Sequence, residues 1–433
     1  MQQQVPDGYK QTEVGVIPED WKLLTIDDLT TIVGDGIHAT PVYSLSGEYY
    51  FINGNNIDKG SITVTGDTKR VDLAEYHKHK KDLSNRTIFL SINGTIGNLA
   101  FYNKEQIVLG KSAAYFNIKE GFSKIYIYYC LQSNAVKKYF DDGLTGTTIK
   151  NLGLGVIRST PVPIPSTDKE QTAIANALSD VDTLITSLEK LIVKKRAIKT
   201  AAMQQLLSGK KRLPPFDETH TGYKQTALGE IPEDWEVEIL DDLSIISRLA
   251  GAEYTSMWKE TVDGEIIALR GFNIGKNKLI ERELTHISNE LSVKLKRSRL
   301  VAGDVVYPCV GTIGNAAVIE ESNKYHIQQN IARITPVVSK LSPYFLSHYL
   351  MSELAMKEVE RFTATTSQPS VLVGSLRQYR IPLPYLKDEQ IAIANVLTDM
   401  DKDVEALENR LNKTQQLKQG MMQELLTGRT RLV

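Results

Sequence analysis

Gly8-Tyr9-Lys10-Gln11-Thr12-Glu13-Val14-Gly15-Val16-Ile17-Pro18-Glu19-Asp20-Trp21 returns 214 residues later as Gly222-Tyr223-Lys224-Gln225-Thr226, through Gly229, to Ile231-Pro232-Glu233-Asp234-Trp235, with 11 of 14 positions identical. A second block repeats at an offset of 219: residues 161–213 match 380–432 at 22 of 53 positions without a gap. Between these blocks, residues 22–160 and 236–379 share little sequence. A repeated frame around divergent fillings is the pattern of a reader that handles two inputs through one geometry.

The 433 residues exceed what one hydrophobic core organises and suit about two to four domains. With 41% hydrophobic and 24% charged residues, the composition is that of an ordinary soluble protein. No apolar run approaches the ~20 residues that cross a bilayer, and Met1-Gln2-Gln3-Gln4 lacks the basic and apolar regions of a signal peptide. Cys130 and Cys309 are the two cysteines, one in each half, which argues against a disulfide framework and for a cytoplasmic location. The net charge of −1 carries no global nucleic-acid signature, but it is unevenly spread: +3 over residues 22–160, −1 over 236–379 and +4 over 166–212. Tight DNA binding by this chain alone would call for more positive charge. Any DNA contact is therefore local, or partner subunits bring the cations.

The repeated block holds a long amphipathic stretch. Ile174, Leu178, Val181, Ile185, Leu188 and Ile192 alternate four- and three-residue spacings, and Lys195 and Lys199 interrupt the seam before Ala202 and Leu206. Its copy runs Ile393, Leu397, Met400, Val404, Leu407 and Leu411, then Thr414 and Lys418, then Met421 and Leu425. A period near 3.5 predicts coiled-coil helices over 168–208 and 387–427. Pro163 and Pro165, with Pro382 and Pro384, close an extended segment before each helix, and Gly209 and Gly428 supply left-handed end caps. Each rod is about 60 Å long. Its narrow seam requires a partner helix, and an antiparallel pairing of the two copies supplies one without a connection that retraces the rod; the plainer alternative is a self-contained or homodimerising coiled coil with no spacing role.

The unrepeated stretches read as mixed, with more strand than helix. Tyr49-Tyr50-Phe51-Ile52, Thr87–Ile92 and Ile107-Val108-Leu109 alternate with Gly/Asn turns before a helix at 123–140. The second stretch offers Glu265–Leu269, Asp304–Tyr307 and a helix near 342–361. One motif survives in both, Asn93-Gly94-Thr95-Ile96-Gly97-Asn98 against Val310-Gly311-Thr312-Ile313-Gly314-Asn315. It reads either as a hairpin turn or as a loop that approaches a ligand closely. Basic clusters at Lys78, Lys80, Lys81 and Arg86, and at Lys294, Lys296, Arg297 and Arg299, occupy comparable places just ahead of that motif's strand.

Catalytic lookalikes fail on inspection. Leu213-Pro214-Pro215-Phe216 has Leu where an amino-methyltransferase needs Asn or Asp, and Gly110-Lys111-Ser112 lacks the upstream glycine of a phosphate-binding loop, having Glu105 there. His77 and His79 have no accompanying ligand set for a metal. No nucleophile–base pair repeats between the halves, so neither catalysis nor a metal is expected.

Taken together, the doubled opening, the Gly-Thr-Ile-Gly turn, Thr145-Gly146-x-Thr148-Ile149-Lys150-Asn151-Leu152, the Ile164–Asn176 stretch with its copy from Leu383, and Met-Gln-x-Leu-Leu-x-Gly at 203–209 and 422–428 resemble the specificity subunit of type I restriction–modification enzymes. The resemblance covers nearly the whole chain. It implies an α+β architecture, with two mixed α/β target recognition domains separated by two long antiparallel coiled-coil helices in pseudo-two-fold symmetry. The divisions are 1–160 for the first recognition domain, 161–213 for the first proline segment and spacer helix, 214–379 for a linker and the second recognition domain, and 380–433 for the second proline segment and helix. The implied partners are double-stranded DNA and two methyltransferase (modification) subunits, with restriction/translocase subunits as optional further ones. S-adenosylmethionine is expected on the modification subunits and no cofactor in this chain. The alternative is a coiled-coil scaffold that spaces two protein-binding domains and touches no DNA.

In such a reader phosphate contacts set register and base contacts set sequence. The two basic clusters and Lys150 are the expected phosphate ligands. Asn93, Thr95, Asn98, Thr147 and Thr148 are the expected base contacts of the first domain. Arg270, Asn273, Thr312, Asn315, Gln328, Gln329, Asn330, Thr366 and Gln368 are those of the second, Arg and Gln being able to contact guanine and adenine through two hydrogen bonds.

Overall fold

The repeated opening folds into a tight antiparallel hairpin in both places, Tyr9–Thr12 with Gly15–Pro18 and Tyr223–Thr226 with Gly229–Pro232. Each hairpin leads into a tryptophan, Trp21 or Trp235, with no exposed surface. The computed structural model describes residues 5–146, 150–218, 222–362 and 370–432. Within it the four contiguous stretches of the sequence regroup into two units, Met1–Ser187 with Arg410–Val433, and Leu188–Asn409. The end of the second long helix thus belongs with the first globular part.

In the first unit, Lys22–Thr25 pairs antiparallel with the proline segment Pro161–Ile164. The chain therefore enters and leaves the domain on adjacent strands, and Pro161 and Pro163 are tolerated because this sheet has only two strands. Between them lies a four-stranded antiparallel sheet in the order Leu99–Phe101, Thr87–Ser91, Ala113–Ile118, Thr30–Asp35. A three-stranded sheet has Tyr49–Ile52 at its centre, parallel to Ile107–Leu109 and antiparallel to Arg70–Val71.

The second unit repeats this plan strand for strand. Trp235–Ile239 pairs with Arg380–Pro384. Ala317–Val318, Val305–Pro308, Ile331–Pro336 and Ser244–Ser247 form the four-stranded sheet, and Ile266–Leu269 lies between Tyr325–Ile327 and Thr285–Ile287 in the three-stranded one. Two stretches that share little sequence fold alike because the pattern of buried strand positions is kept while the residues change.

The helix expected at 123–140 is two helices, Lys124–Cys130 and Asn134–Asp142, and the one near 342–361 is likewise Pro343–Leu350 and Glu353–Phe362. Ser133 explains the first break: its backbone is extended and its hydroxyl accepts from the Val136 amide, restarting the helix instead of continuing it.

The long helices span Asp168–Leu206 and Lys387–Leu425, 39 residues each. Inside each unit they run antiparallel. Asp182 meets Lys418 in the first unit, at 2.6 Å. In the second, Lys195 and Lys199 meet Asp403 and Asp401. Leu178, Leu188, Ile192 and Leu397 of the expected seam are buried; Val181, Ile185, Met400, Val404, Leu407 and Leu411 are half-buried. Of the three lysines that interrupt the seam, Lys199 and Lys418 stand at equivalent positions and each reaches an aspartate of the other helix, Asp401 or Asp182. A polar pair inside an apolar seam favours one helix register over its heptad-shifted neighbours.

Candidate nucleic-acid interface

The repeated residues build a latch. Arg431 reaches Asp20 at 3.0 and 2.9 Å and both oxygens of Glu170, whose side chain is 1% exposed. Arg212 does the same with Asp234 at 3.1 Å and with Glu389 at 2.8 and 2.6 Å. The neighbouring glutamines hold the globular domain to the helix: Gln171 accepts from the Ser123 amide and Gln390 from the Ser342 amide, at the start of the next helix in each case. Gly428 carries φ +66 and lies against Pro18 and Trp21; Gly209, at φ +70, lies against Pro232 and Trp235. The repeated motif is thus a docking frame that joins hairpin, helix start and helix end.

Beyond the frame, two turns recur with the same backbone bonds. In the first unit a 3-10 turn, Gly54–Asn56, is closed by the Asn53 amide donating to Asn56 Oδ1 at 3.0 Å; Asn56 in turn donates to Thr63 O. In the second the turn is Gly271–Asn273, the Arg270 amide donates to Asn273 Oδ1 at 3.0 Å, and Asn273 donates to Ile280 O and Arg282 O. The Gly-Thr-Ile-Gly motif is a hairpin turn between antiparallel strands in both units. Its final asparagine ties it to the residue after the 3-10 turn, Asn98 to Ile57 O at 3.0 Å and Asn315 to Ile274 O at 2.9 Å.

Side chains diverge where this shared backbone ends its central parallel strands. Register pairs Leu109 with Ile52 and Ile327 with Leu269, so the following residues stand side by side: Asn53 near Gly110, and Arg270 near Gln328. In the first unit, Ser112 donates to Asn53 Oδ1 at 2.9 Å and accepts from the Gly54 amide at 2.8 Å. In the second, Gln328 donates to Glu260 and to Thr285, each at 3.0 Å.

The expected contacts divide three ways against this geometry. Lys78, Lys80, Lys294, Lys296 and Arg297 are exposed and Lys81 is half-buried, on or just after the short helices Leu73–His79 and Asn289–Lys294. Their equivalent placement in the two units therefore holds. Lys78 and Lys294 also pair within their helices, with Glu75 and Glu290. Thr95, Lys150, Thr312 and Asn330 are exposed, and Asn93, Arg270 and Gln329 half-buried.

Other expected contacts are occupied within the fold. Arg86 donates Nε to Ile118 O and Nη2 to Lys119 O and Phe122 O, which makes it a loop clamp instead of the expected phosphate ligand. Asn273 is fully buried with its amide used on two carbonyls, so it shapes a turn instead of reading a base. Asn98, Asn315 and the Thr312 hydroxyl are likewise engaged by carbonyls, whereas Arg299 is half-buried with only its backbone bridged to that of His326. Thr147, Thr148, Thr366 and Gln368 lie outside the described residues. Asn53, Ser112 and Glu260, which the expected contacts do not include, lie at these strand ends. The repeat Gly54-x-Asn56-Ile57 against Gly271-x-Asn273-Ile274 signals the first of them, at the same 217-residue offset as the Gly-Thr-Ile-Gly turn.

Residues 18–196 and 232–419 match the family described as the type I restriction modification DNA specificity domain, over well more than half of the chain. The chain belongs to that family. It carries two specificity domains, one in each unit's matched stretch, which fits recognition of a two-part target. Among curated relatives of this specificity family, the type I restriction enzyme MjaVIII specificity subunit of Methanocaldococcus jannaschii is 25% identical, covering 98% of this chain and 96% of its own. The EcoBI specificity subunit of Escherichia coli is 23% identical over 76% and 71%. The crystal structure of the type I restriction–modification S subunit from M. genitalium shares the fold, with a TM-score of 0.58 at 17% identity and 98% coverage of both chains. No helix of the described residues is long and apolar enough to cross a membrane, and no three His, Cys, Asp or Glu side chains among them group as metal ligands.

Proposed function

We propose that this chain is the DNA sequence-recognition subunit of a type I restriction–modification complex, in which residues 1–160 and 214–379 each read one half of a split target. The observation that carries this reading is one conserved backbone site bearing different side chains in the two units, Asn53 and Gly110 against Arg270 and Gln328. A scaffold that binds proteins has no need to keep two polar turns identical while exchanging the side chains beside them.

The exposed Lys/Arg residues after Leu73–His79 and Asn289–Lys294 supply local phosphate contacts, which set orientation without carrying sequence information. Positive charge this sparse leaves most of the affinity to partners. Two methyltransferase subunits would dock along the long helices, where Leu184, Leu191 and Ile198 recur every seven residues and stay exposed. S-adenosylmethionine would sit on those partners, and this chain would catalyse nothing itself. A cytoplasmic location suits such a complex.

The test is methylome sequencing of the host with and without the gene, then with residues 236–379 exchanged for those of a relative. Loss of a split adenine motif, and replacement of one half only on exchange, are the expected results. A motif unchanged by deletion, or altered in both halves by the exchange, would overturn the reading.

A further inference from the structure

Arg270 and Gln328 leave neighbouring parallel strands side by side, and the Gln328 amide donates to Leu269 O at 3.0 Å, which locks the two strand ends together. One carboxylate, Glu260, approaches from the preceding loop and collects donors from three directions. Gln328 Nε2 lies at 3.0 Å, Arg270 Nη2 at 3.4 and 3.5 Å from its two oxygens, and Trp258 Nε1 at 3.4 Å. Gln328 is 8% exposed, whereas the Arg270 and Glu260 side chains are 36% and 38% exposed. The cluster is therefore anchored at its glutamine and open at its arginine.

Among the described contacts the Arg270 guanidinium uses only Nη2, which carries two N–H groups; the one not facing Glu260 still forms a two-donor edge with its neighbouring nitrogen, Nη1 or Nε. Two donors held in one plane match the N7 and O6 acceptors of guanine in the major groove.

The first unit shows that this is an exchangeable module. A Cβ on Gly110 would lie 2.2 Å from Asn53 Oδ1, so a side chain like Gln328 cannot stand beside an inward-turned Asn53. The residue after the central strand and the one after its parallel neighbour must change together.

Resting on the recognition reading above, we propose that Glu260 is a positioning residue which aims Arg270, braced by Gln328, at a guanine in the second half-site. A bare carboxylate at a DNA surface is repelled by phosphate. Glu260 is accommodated because Arg270 neutralises it, and it becomes harmful when Arg270 is removed.

The experiment is methylome sequencing of cells that make the full chain with its modification subunits, carrying Arg270→Ala, Arg270→Lys, Glu260→Gln, Glu260→Asp or Arg270→Ala with Glu260→Ala. Thermal melting of each purified chain accompanies it. Arg270→Ala should relax one base pair of the second half-site, with discrimination against the other bases falling roughly ten- to a hundredfold, and should leave the first half-site unchanged. Arg270→Lys, which keeps the charge and loses the fork, should relax the same position, and it serves as the test if the alanine variant fails to fold. Glu260→Gln should weaken discrimination at that position by less, Glu260→Asp should restore part of it, and the double alanine variant should methylate more than Arg270→Ala alone.

An unchanged motif in folded Arg270→Ala or Arg270→Lys, or a Glu260→Gln effect confined to melting, overturns the assignment. Absence of any split motif with the wild-type chain would sink the recognition reading instead.

Discussion

The two latches use the same three residue types and are buried differently. Arg212 is 3% exposed and its partner Glu389 1%, whereas Arg431 is 31% exposed over an equally buried Glu170. Trp235 donates its indole N–H to Glu389 at 3.3 Å, while the indole nitrogen of Trp21 is buried without a partner among the described residues. The polar pin on the long helices differs as well. In the first unit Asp182 takes Lys418 and the Tyr129 hydroxyl, at 2.9 Å. In the second, Asp401 takes Lys199 and Asn277, and His348 fills the place of Tyr129, within 3.0 Å of Thr398 and of Asn277. A motif repeated in sequence is thus not repeated in burial: the second unit encloses its charges more fully.

The largest expected effect is on Arg212. Its replacement by alanine strands a buried carboxylate and should cost about 3–5 kcal/mol, whereas Arg431→Ala, at a site that water reaches, should cost about 2 kcal/mol by the same reasoning. Hydrogen exchange followed separately in each unit distinguishes them, and equal losses would break the comparison. Gly209→Ala and Gly428→Ala should cost about 2 kcal/mol each, since both add a Cβ in the left-handed region and drive it into a proline. Here the units should agree, because the shared frame is what is being disturbed; denaturant melts of the two variants read this.

pH separates the units again. Burial, and then the Lys199 charge, hold the His348 pKa down at about 3 against an ordinary value of 6.5. The folded state therefore binds this proton less readily than the unfolded one. The stability linked to it is complete above pH 6.5 and is lost as pH falls towards 3, by about 2 kcal/mol at pH 5. Exchange protection of the second unit should fall between pH 7 and 5 more steeply than that of the first, and His348→Gln should reduce the excess, the remainder coming from His326, whose pKa burial also lowers. A parallel decline in that variant would show that another group is responsible. The smallest effect is at the tryptophans. Trp235→Phe should cost about 1 kcal/mol more than Trp21→Phe, the difference being one hydrogen bond to a buried carboxylate, measurable as the gap between the two urea midpoints.

Much of the frame is legible in the chain itself. Helix limits expected at 168–208 and 387–427 are observed at Asp168–Leu206 and Lys387–Leu425, because a sustained apolar period and a closing glycine are local signals. The Lys199 and Lys418 interruptions are visible too, although their aspartate partners come from the opposite helix and could not be matched by spacing. The reading site was less accessible. Arg86 and Asn273 have the right chemistry for DNA but are occupied by carbonyls 32 and 7 residues away. Glu260 gained its role from two strand ends brought to it by the sheet. Composition reports what a side chain can do, and only packing reports whether it is already doing it.

Duplication, the two long helices, and the two divergent fillings were determined by sequence alone, since repeats and periodicity need no long-range information; the contacts across the helices fixed their antiparallel direction. Tertiary structure decided which ends meet: Gly428 closes on Pro18 and Arg431 on Asp20, more than 400 residues apart in the chain, as Gly209 closes on Pro232. It also decided that two dissimilar stretches share one sheet topology, and that Asn53 with Gly110 occupies the place of Arg270 with Gln328. The physical reason is the same in each case. Burial of an apolar face or a charge is satisfied by whichever group the fold brings near, and proximity in the fold is not written as proximity along the chain.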